Sequence, residues 1–206
     1  MTDDLQVAAP QSELERAAQY FKQWTILGPT GDVTSSNRYM LKNSRIRRFL
    51  QYEKQGTFGG INLGWTDDAE PATGRRVTQW QFVRQSGRTA PITYGELVAI
   101  RWKDDYIFHA HRDVGINLKW SDNPVFEWCL LGGKPGSPVR TGAWLSIFNT
   151  MSEKTGEPLI FFDRTVGGDI GWPSSRTWGQ TLREMGTSLA KDVVIAYLTK
   201  GSSAKK

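Results

Sequence analysis

Cysteine is nearly absent from this chain: Cys129 stands alone. That excludes an internal disulfide and a cysteine-built zinc cage. Its setting, Phe126-Glu127-Trp128-Cys129-Leu130-Leu131, reads as a buried, inert thiol rather than a nucleophile. Histidine is almost as scarce. His109 and His111 share a strand face with Asp113, but two imidazoles without a third nitrogen or sulfur ligand make a weak metal set. No apolar run reaches the roughly 18–20 residues that cross a bilayer, so no transmembrane segment is expected. Residues 1–10 lack the basic start and apolar stretch of a classical signal peptide, which predicts a cytoplasmic protein or one released by a non-classical route.

Catalytic signatures are missing as well. The sequence has no Gly-x-Ser-x-Gly elbow, phosphate-binding loop, His-Glu-x-x-His or dinucleotide fingerprint. Asp67/Asp68 and Asp104/Asp105 are adjacent pairs, and neighbours on a strand point apart, so they read as solvated turns rather than an acid–base pair. The expectation is a protein that is not an enzyme and needs no cofactor. Net charge is only +5, with Arg45, Arg47 and Arg48 the densest basic cluster. That falls short of the basic stripe that marks a specific nucleic-acid binder.

What the chain does have is tryptophan, glycine and a repeat. Nine tryptophans, twenty-one glycines and nine prolines in 206 residues suit a fold of many short strands and turns. One phrase recurs three times: Gly60-Ile61-Asn62-Leu63-Gly64-Trp65, Gly115-Ile116-Asn117-Leu118-Lys119-Trp120 and Gly167-Gly168-Asp169-Ile170-Gly171-Trp172. The closing tryptophans lie 55 and 52 residues apart, the mark of an internally repeated architecture. The alternation of Ile61, Leu63 and Trp65, and of Ile116, Leu118 and Trp120, predicts strands with one buried face.

The repeat extends beyond the phrase. A first strand is predicted at Tyr39-Met40-Leu41, Leu97–Ile100 and Trp144–Ile147, and a second at Arg48-Phe49-Leu50, Tyr106-Ile107-Phe108 and Leu159-Ile160-Phe161. The phrase is the third strand. Trp80, Trp128 and Trp178 mark a fourth. Four strands in each of three units predict an all-β fold, a β-trefoil over 33–178, with a generic barrel or a sandwich as the competing architectures. Residues 1–11 are expected to be a flexible N-terminus. Leu14, Ala17, Ala18, Phe21 and Trp24 follow helical spacing and predict a helix over 12–25 capped by Ser12. The segment 179–199 fits a helix or, through Val193-Val194-Ile195, a closing strand. Residues 200–206 read as a disordered tail.

This plan resembles the β-trefoil lectin superfamily, including ricin-B-type and fascin-like domains. In ricin-type lectins a Gln-x-Trp motif marks the fourth strand. Here the tryptophans match at Trp80, Trp128 and Trp178, and the glutamine does not. The aspartate that ricin-type sugar sites place after the second-strand apolar pair is replaced by Gln51, His109 and Phe162.

Among the polar residues, Asn62, Asn117 and Asp169 occupy one place in all three units, opposite in phase to their apolar neighbours. They are candidate ligand contacts, joined by Tyr52 and His109; the alternative is that they pin the entry turn of each strand through backbone hydrogen bonds. Trp65, Trp120 and Trp172 are in phase with the core. Trp24, Trp102 and Trp144 are less tied to the repeat, and one of them is expected to be exposed. The expected function is a lectin-like module recognising a cell-surface glycan or glycoprotein. Binding to a protein receptor as a toxin-type component, or a fascin-like intracellular interaction, are the alternatives.

Overall fold

The computed structural model describes residues 22–54, 61–67, 79–87, 89–112, 116–151, 157–161 and 169–172. These residues are all-β and contain no helix. The described residues hold thirteen strands: β1 (Trp24–Leu27), β2 (Met40–Asn43), β3 (Phe49–Tyr52), β4 (Leu63–Thr66), β5 (Trp80–Arg84), β6 (Val98–Trp102), β7 (Asp105–His109), β8 (Leu118–Ser121), β9 (Trp128–Leu131), β10 (Trp144–Asn149), β11 (Glu157–Pro158), β12 (Ile160–Phe161) and β13 (Ile170–Gly171). Eleven form one curled, half-barrel sheet in the order β4-β3-β2-β1-β10-β9-β6-β7-β8, with β5 paired to β6 and β11 to β10; β12 and β13 pair separately.

The predicted first, second and third strands all fall on observed ones, from β2, β6 and β10 through to β4, β8 and β13. One prediction needs correcting. The helix over 12–25 does not reach its end, because Trp24 and Thr25 lie in strand β1. Trp24 fits the helical spacing, yet its backbone pairs with Asn43 on one side and Leu145 on the other. A strand bonded along both edges outweighs a local periodicity. The remainder of that helix, Trp178, and the segments 179–199 and 200–206 lie outside the described residues, apart from Lys22 and Gln23, which are irregular.

Each unit begins with a tryptophan: Trp24, Trp80 and Trp128 open β1, β5 and β9. Each pairs with the second strand of the preceding unit, at Tyr39↔Trp80, Val98↔Trp128 and Leu145↔Trp24. Followed strand by strand, the pairings β1–β2, β2–β5, β5–β6, β6–β9, β9–β10 and β10–β1 return to their start. The β2–β5 link is a single bridge in which Tyr39 and Trp80 exchange both backbone hydrogen bonds, at 2.8 and 3.2 Å.

The three tryptophans tie neighbouring units together. Each is fully buried, and each indole Nε1–H donates to a hairpin carbonyl: Trp24 to Leu159 O (2.6 Å), Trp80 to Leu50 O (3.0 Å) and Trp128 to Ile107 O (2.8 Å). Each ring also stacks on the phrase tryptophan of its own unit, Trp24 on Trp65, Trp80 on Trp120 and Trp128 on Trp172, at centroid distances of 5.8, 6.4 and 6.1 Å. The phrase tryptophans are therefore half-buried lids on the core rather than its centre.

The connections before β2, β6 and β10 close a second cycle. Val33, Ile92 and Val139 are fully buried. The Val33 amide donates to Val139 O (2.8 Å), Val139 to Ile92 O (2.8 Å) and Ile92 to Val33 O (2.7 Å). Three apolar side chains are thus buried with their backbone polar groups satisfied by one another. Gly95 and Gly142, each three residues further on, both adopt φ of 82° and donate to Leu130 O and Ile26 O. A side chain would strain this turn.

Candidate functional site

The sequence-predicted contacts lie on the hairpins β3–β4, β7–β8 and β12–β13. Register places Tyr52 opposite Leu63, His109 opposite Leu118 and Phe161 opposite Ile170, so these three correspond. Each ring meets the phrase tryptophan of the next unit: Tyr52 with Trp120 (6.2 Å), His109 with Trp172 (6.2 Å) and Phe161 with Trp65 (5.9 Å). Tyr52 is further stacked on Trp102 at 4.6 Å. Asn62 Nδ2 donates to the Tyr52 hydroxyl at 3.0 Å. Asn117 Oδ1 accepts from the Arg112 amide at 3.0 Å, a bond of the turn-pinning kind. Asp169 has a φ of 47°, a left-handed turn conformation that aspartate tolerates better than most residues. The structure brings the predicted set into one cyclic arrangement. The aromatic contacts join one hairpin to the next, and the hydrogen bonds of Asn62 and Asn117 stay within their own hairpins.

The residue before each unit tryptophan is a signal that the repeat phrase does not display. These residues are Gln23, Gln79 and Glu127. Glu127 accepts hydrogen bonds from the His109 amide and from Asn149 Nδ2. Gln23 Oε1 accepts from the corresponding groups, the Phe161 amide (3.3 Å) and Asn43 Nδ2 (3.5 Å). Burial holds the Glu127 carboxyl above its ordinary value, opposed by these two hydrogen bonds and by the charge of His109. A raised carboxyl pKa means ionisation opposes folding. Its contribution is most favourable below the unfolded value near 4.5 and is lost as pH rises through the folded value. Glu127→Gln, which installs the residue found in the other two units, is therefore expected to leave neutral-pH stability equal or higher. It should also flatten the fall in melting temperature above pH 4.5. Thermal unfolding of both proteins at acidic and neutral pH checks this; a large loss at neutral pH would show that the ionised form is required.

A second region was not among the predicted contacts. A cavity of about 270 Å³ is lined by Thr25, Leu27, Lys42, Ser44, Arg47 and Trp144. Three adjacent strands build its floor, because Thr25 pairs with Lys42 on β2 and with Trp144 on β10. The β2–β3 turn supplies Ser44 and Arg47. Trp144 is 64% exposed, whereas Trp24 and Trp102 are buried, so the exposed member of that group is Trp144. Register equates Trp144 with Arg38 and Leu97, the residues preceding Tyr39 and Val98. The large aromatic is confined to one unit, and that departure from the repeat is the signal a sequence reader could use.

Charge at this pocket is one-sided. Lys42 Nζ sits 5.3 Å from the Phe49 ring, and among the described residues neither Lys42 nor Arg47 forms an ion pair. Elsewhere Arg48 pairs with Asp67 at 2.8 Å, Arg84 with Glu96, and Arg140 with Asp32 at 3.5 Å. Arg47 holds a φ of 60°, a conformation uncommon for a side chain of this length.

Among the described residues no cluster of histidine, cysteine, aspartate and glutamate could hold a metal ion; Asp113 lies outside them. Burial pushes the Cys129 thiol up to about 12, which leaves it unreactive at neutral pH. No described helix is long and apolar enough to cross a membrane. No protein-family model, curated protein or solved structure matches the chain.

Proposed function

We propose that this chain is a non-enzymatic binding module on a β-trefoil scaffold of the lectin-like kind, and that it takes carbohydrate at the Trp144 pocket. The trefoil reading draws support from the cyclic pairing of β1, β2, β5, β6, β9 and β10. The three hairpins β3–β4, β7–β8 and β12–β13 repeat with that cycle, as do the mutual hydrogen bonds of Val33, Ile92 and Val139. In this reading β1 is the closing strand, and β11 and β12 are halves of one.

The observation that carries the functional reading is the exposure of Trp144 at 64% beside a small pocket of mixed polar and apolar lining. An indole left 64% exposed offers an apolar ring face that a ligand can cover. The apolar face of a pyranose stacks on such a ring, and the Thr25 and Ser44 hydroxyls and the Lys42 and Arg47 donors suit its hydroxyls. The hairpin residues Asn62, Asn117, Asp169, Tyr52 and His109 then hold the scaffold on which this site stands. Because Arg38 and Leu97 replace the tryptophan in the other units, the proposal is for one platform, not three.

Trp144→Ala should abolish signal on a glycan array while stability stays within about ±0.5 kcal/mol, as for exposed positions generally. An array without signal for the parent protein, or signal indifferent to Trp144, would contradict the reading. Met151, 62% exposed just beyond β10, favours a protein receptor as the second reading. Binding to cells that survives their deglycosylation would decide for it.

A further inference from the structure

We infer that the ligand of the Trp144 pocket is an acidic saccharide, a pyranose carrying a carboxylate or sulfate that Lys42 and Arg47 receive. The inference rests on the carbohydrate reading above and adds the class of sugar. Six residues line the cavity; two are cationic and none is acidic. A neutral sugar takes hydrogen bonds from Lys42 and Arg47 to its hydroxyls, whereas an anionic one adds the attraction of opposite charges and the stronger bonds that come with it. The other described cations with carboxylate partners, Arg48, Arg84 and Arg140, are already engaged. Lys42 and Arg47 have no such partner among the described residues, so an incoming anion displaces no carboxylate.

Shape points the same way. The cavity of about 270 Å³ is close to the lower end of small-molecule sites, roughly 300–1,000 Å³. That suits one ring and its substituent rather than a polymer groove. Register fixes Lys42, Thr25 and Trp144 in a row across β2, β1 and β10, so the stacking face and one cation lie on the same rigid surface. Arg47 stands above them on the turn. Its left-handed backbone, φ 60°, is one that glycine adopts without strain. That provides a variant that removes the charge without endangering the fold.

Titration calorimetry would compare a trigalacturonate, its fully methyl-esterified counterpart and a 6-sulfated pyranoside, with a thymidine oligonucleotide as a polyanion control. At least one acidic saccharide is expected to bind about tenfold or more tightly than the neutral ester, with an advantage that shrinks toward about 0.5 M salt. The carboxylated and sulfated arms identify which anion is preferred. Arg47→Gly and Lys42→Gln should each weaken the acidic ligand about three- to tenfold and the ester by less, so that the advantage of the acid shrinks, and Trp144→Ala should remove both. Equal affinity for acid and ester would overturn the acidic class while leaving a sugar site. Saccharide binding that is absent or indifferent to Trp144 would overturn the carbohydrate reading and this inference together. An oligonucleotide bound as tightly as the acidic saccharide, with the same dependence on Arg47 and Lys42, would reassign the site to nucleic acid.

Discussion

Replacing Trp24 by alanine is expected to lower stability by about 3–5 kcal/mol, the usual cost of emptying a large aromatic site. That is a substantial part of the roughly 5–15 kcal/mol that holds a typical domain folded. Three losses coincide at this residue. A fully buried indole disappears, the Leu159 carbonyl loses its donor, and Trp65 loses the ring it stacks on. The contacts reach from the first strand to the third unit, 135 residues away along the chain. Trp24→Phe keeps an aromatic ring while losing the N–H and part of the indole's volume; it should fall between the parent protein and alanine. Urea titration measures all three. An alanine variant within about 1 kcal/mol of the parent, the size of an ordinary substitution, would mean that β1 does not close the sheet.

Ile92→Pro is expected to be nearly as damaging, at about 3 kcal/mol or more. Proline has no amide hydrogen to give. The Val33 carbonyl, which accepts from Ile92 at 2.7 Å, would be left buried without that donor, a loss of about 1–3 kcal/mol before the cost of repacking. The effect should exceed that of a surface proline because Val33, Ile92 and Val139 hold one another in a cycle. Ile92→Val keeps the amide and most of the side chain and should cost only about 0.5–1.5 kcal/mol. Equal midpoints for the proline and valine variants would show that the side chain matters and the cycle does not.

Much of the β pattern was legible because its signals are local. Ile61 and Leu63, and Ile116 and Leu118, alternate with polar neighbours, and the pleat buries them as that alternation requires. The first strand was illegible for a non-local reason. Leu14, Ala17, Ala18, Phe21 and Trp24 fit a helix, and only pairing with Asn43 on one side and the distant Leu145 on the other reveals Trp24 as a strand residue. Trp178, expected in the fourth-strand place of the third unit, lies outside the described residues. The Leu159 carbonyl, which corresponds to those of Leu50 and Ile107, accepts from Trp24. The pair Gln23-Trp24 matches Gln79-Trp80 and resembles Glu127-Trp128, a signal that marks Trp24 as a strand position.

The site was legible in the opposite sense. Repetition drew attention to Asn62, Asn117 and Asp169, and repeated positions are where a symmetric scaffold spends its structural contacts. Asn117 holds the turn at Arg112, and Asn62 holds Tyr52. Trp144 instead breaks the repeat, standing exposed where the other units have Arg38 and Leu97. Neither the pocket beside it nor its unpaired cations could be read from spacing. They arise where β2, β1 and β10 come into register.

The cyclic closure of three units is tested most directly by through-hydrogen-bond scalar couplings in isotope-labelled protein. The account predicts three correlations: the Val33 amide to the Val139 carbonyl, the Val139 amide to the Ile92 carbonyl, and the Ile92 amide to the Val33 carbonyl. Coupling from any of these amides to a different carbonyl, or rapid exchange of one amide while the other two stay protected, would contradict it.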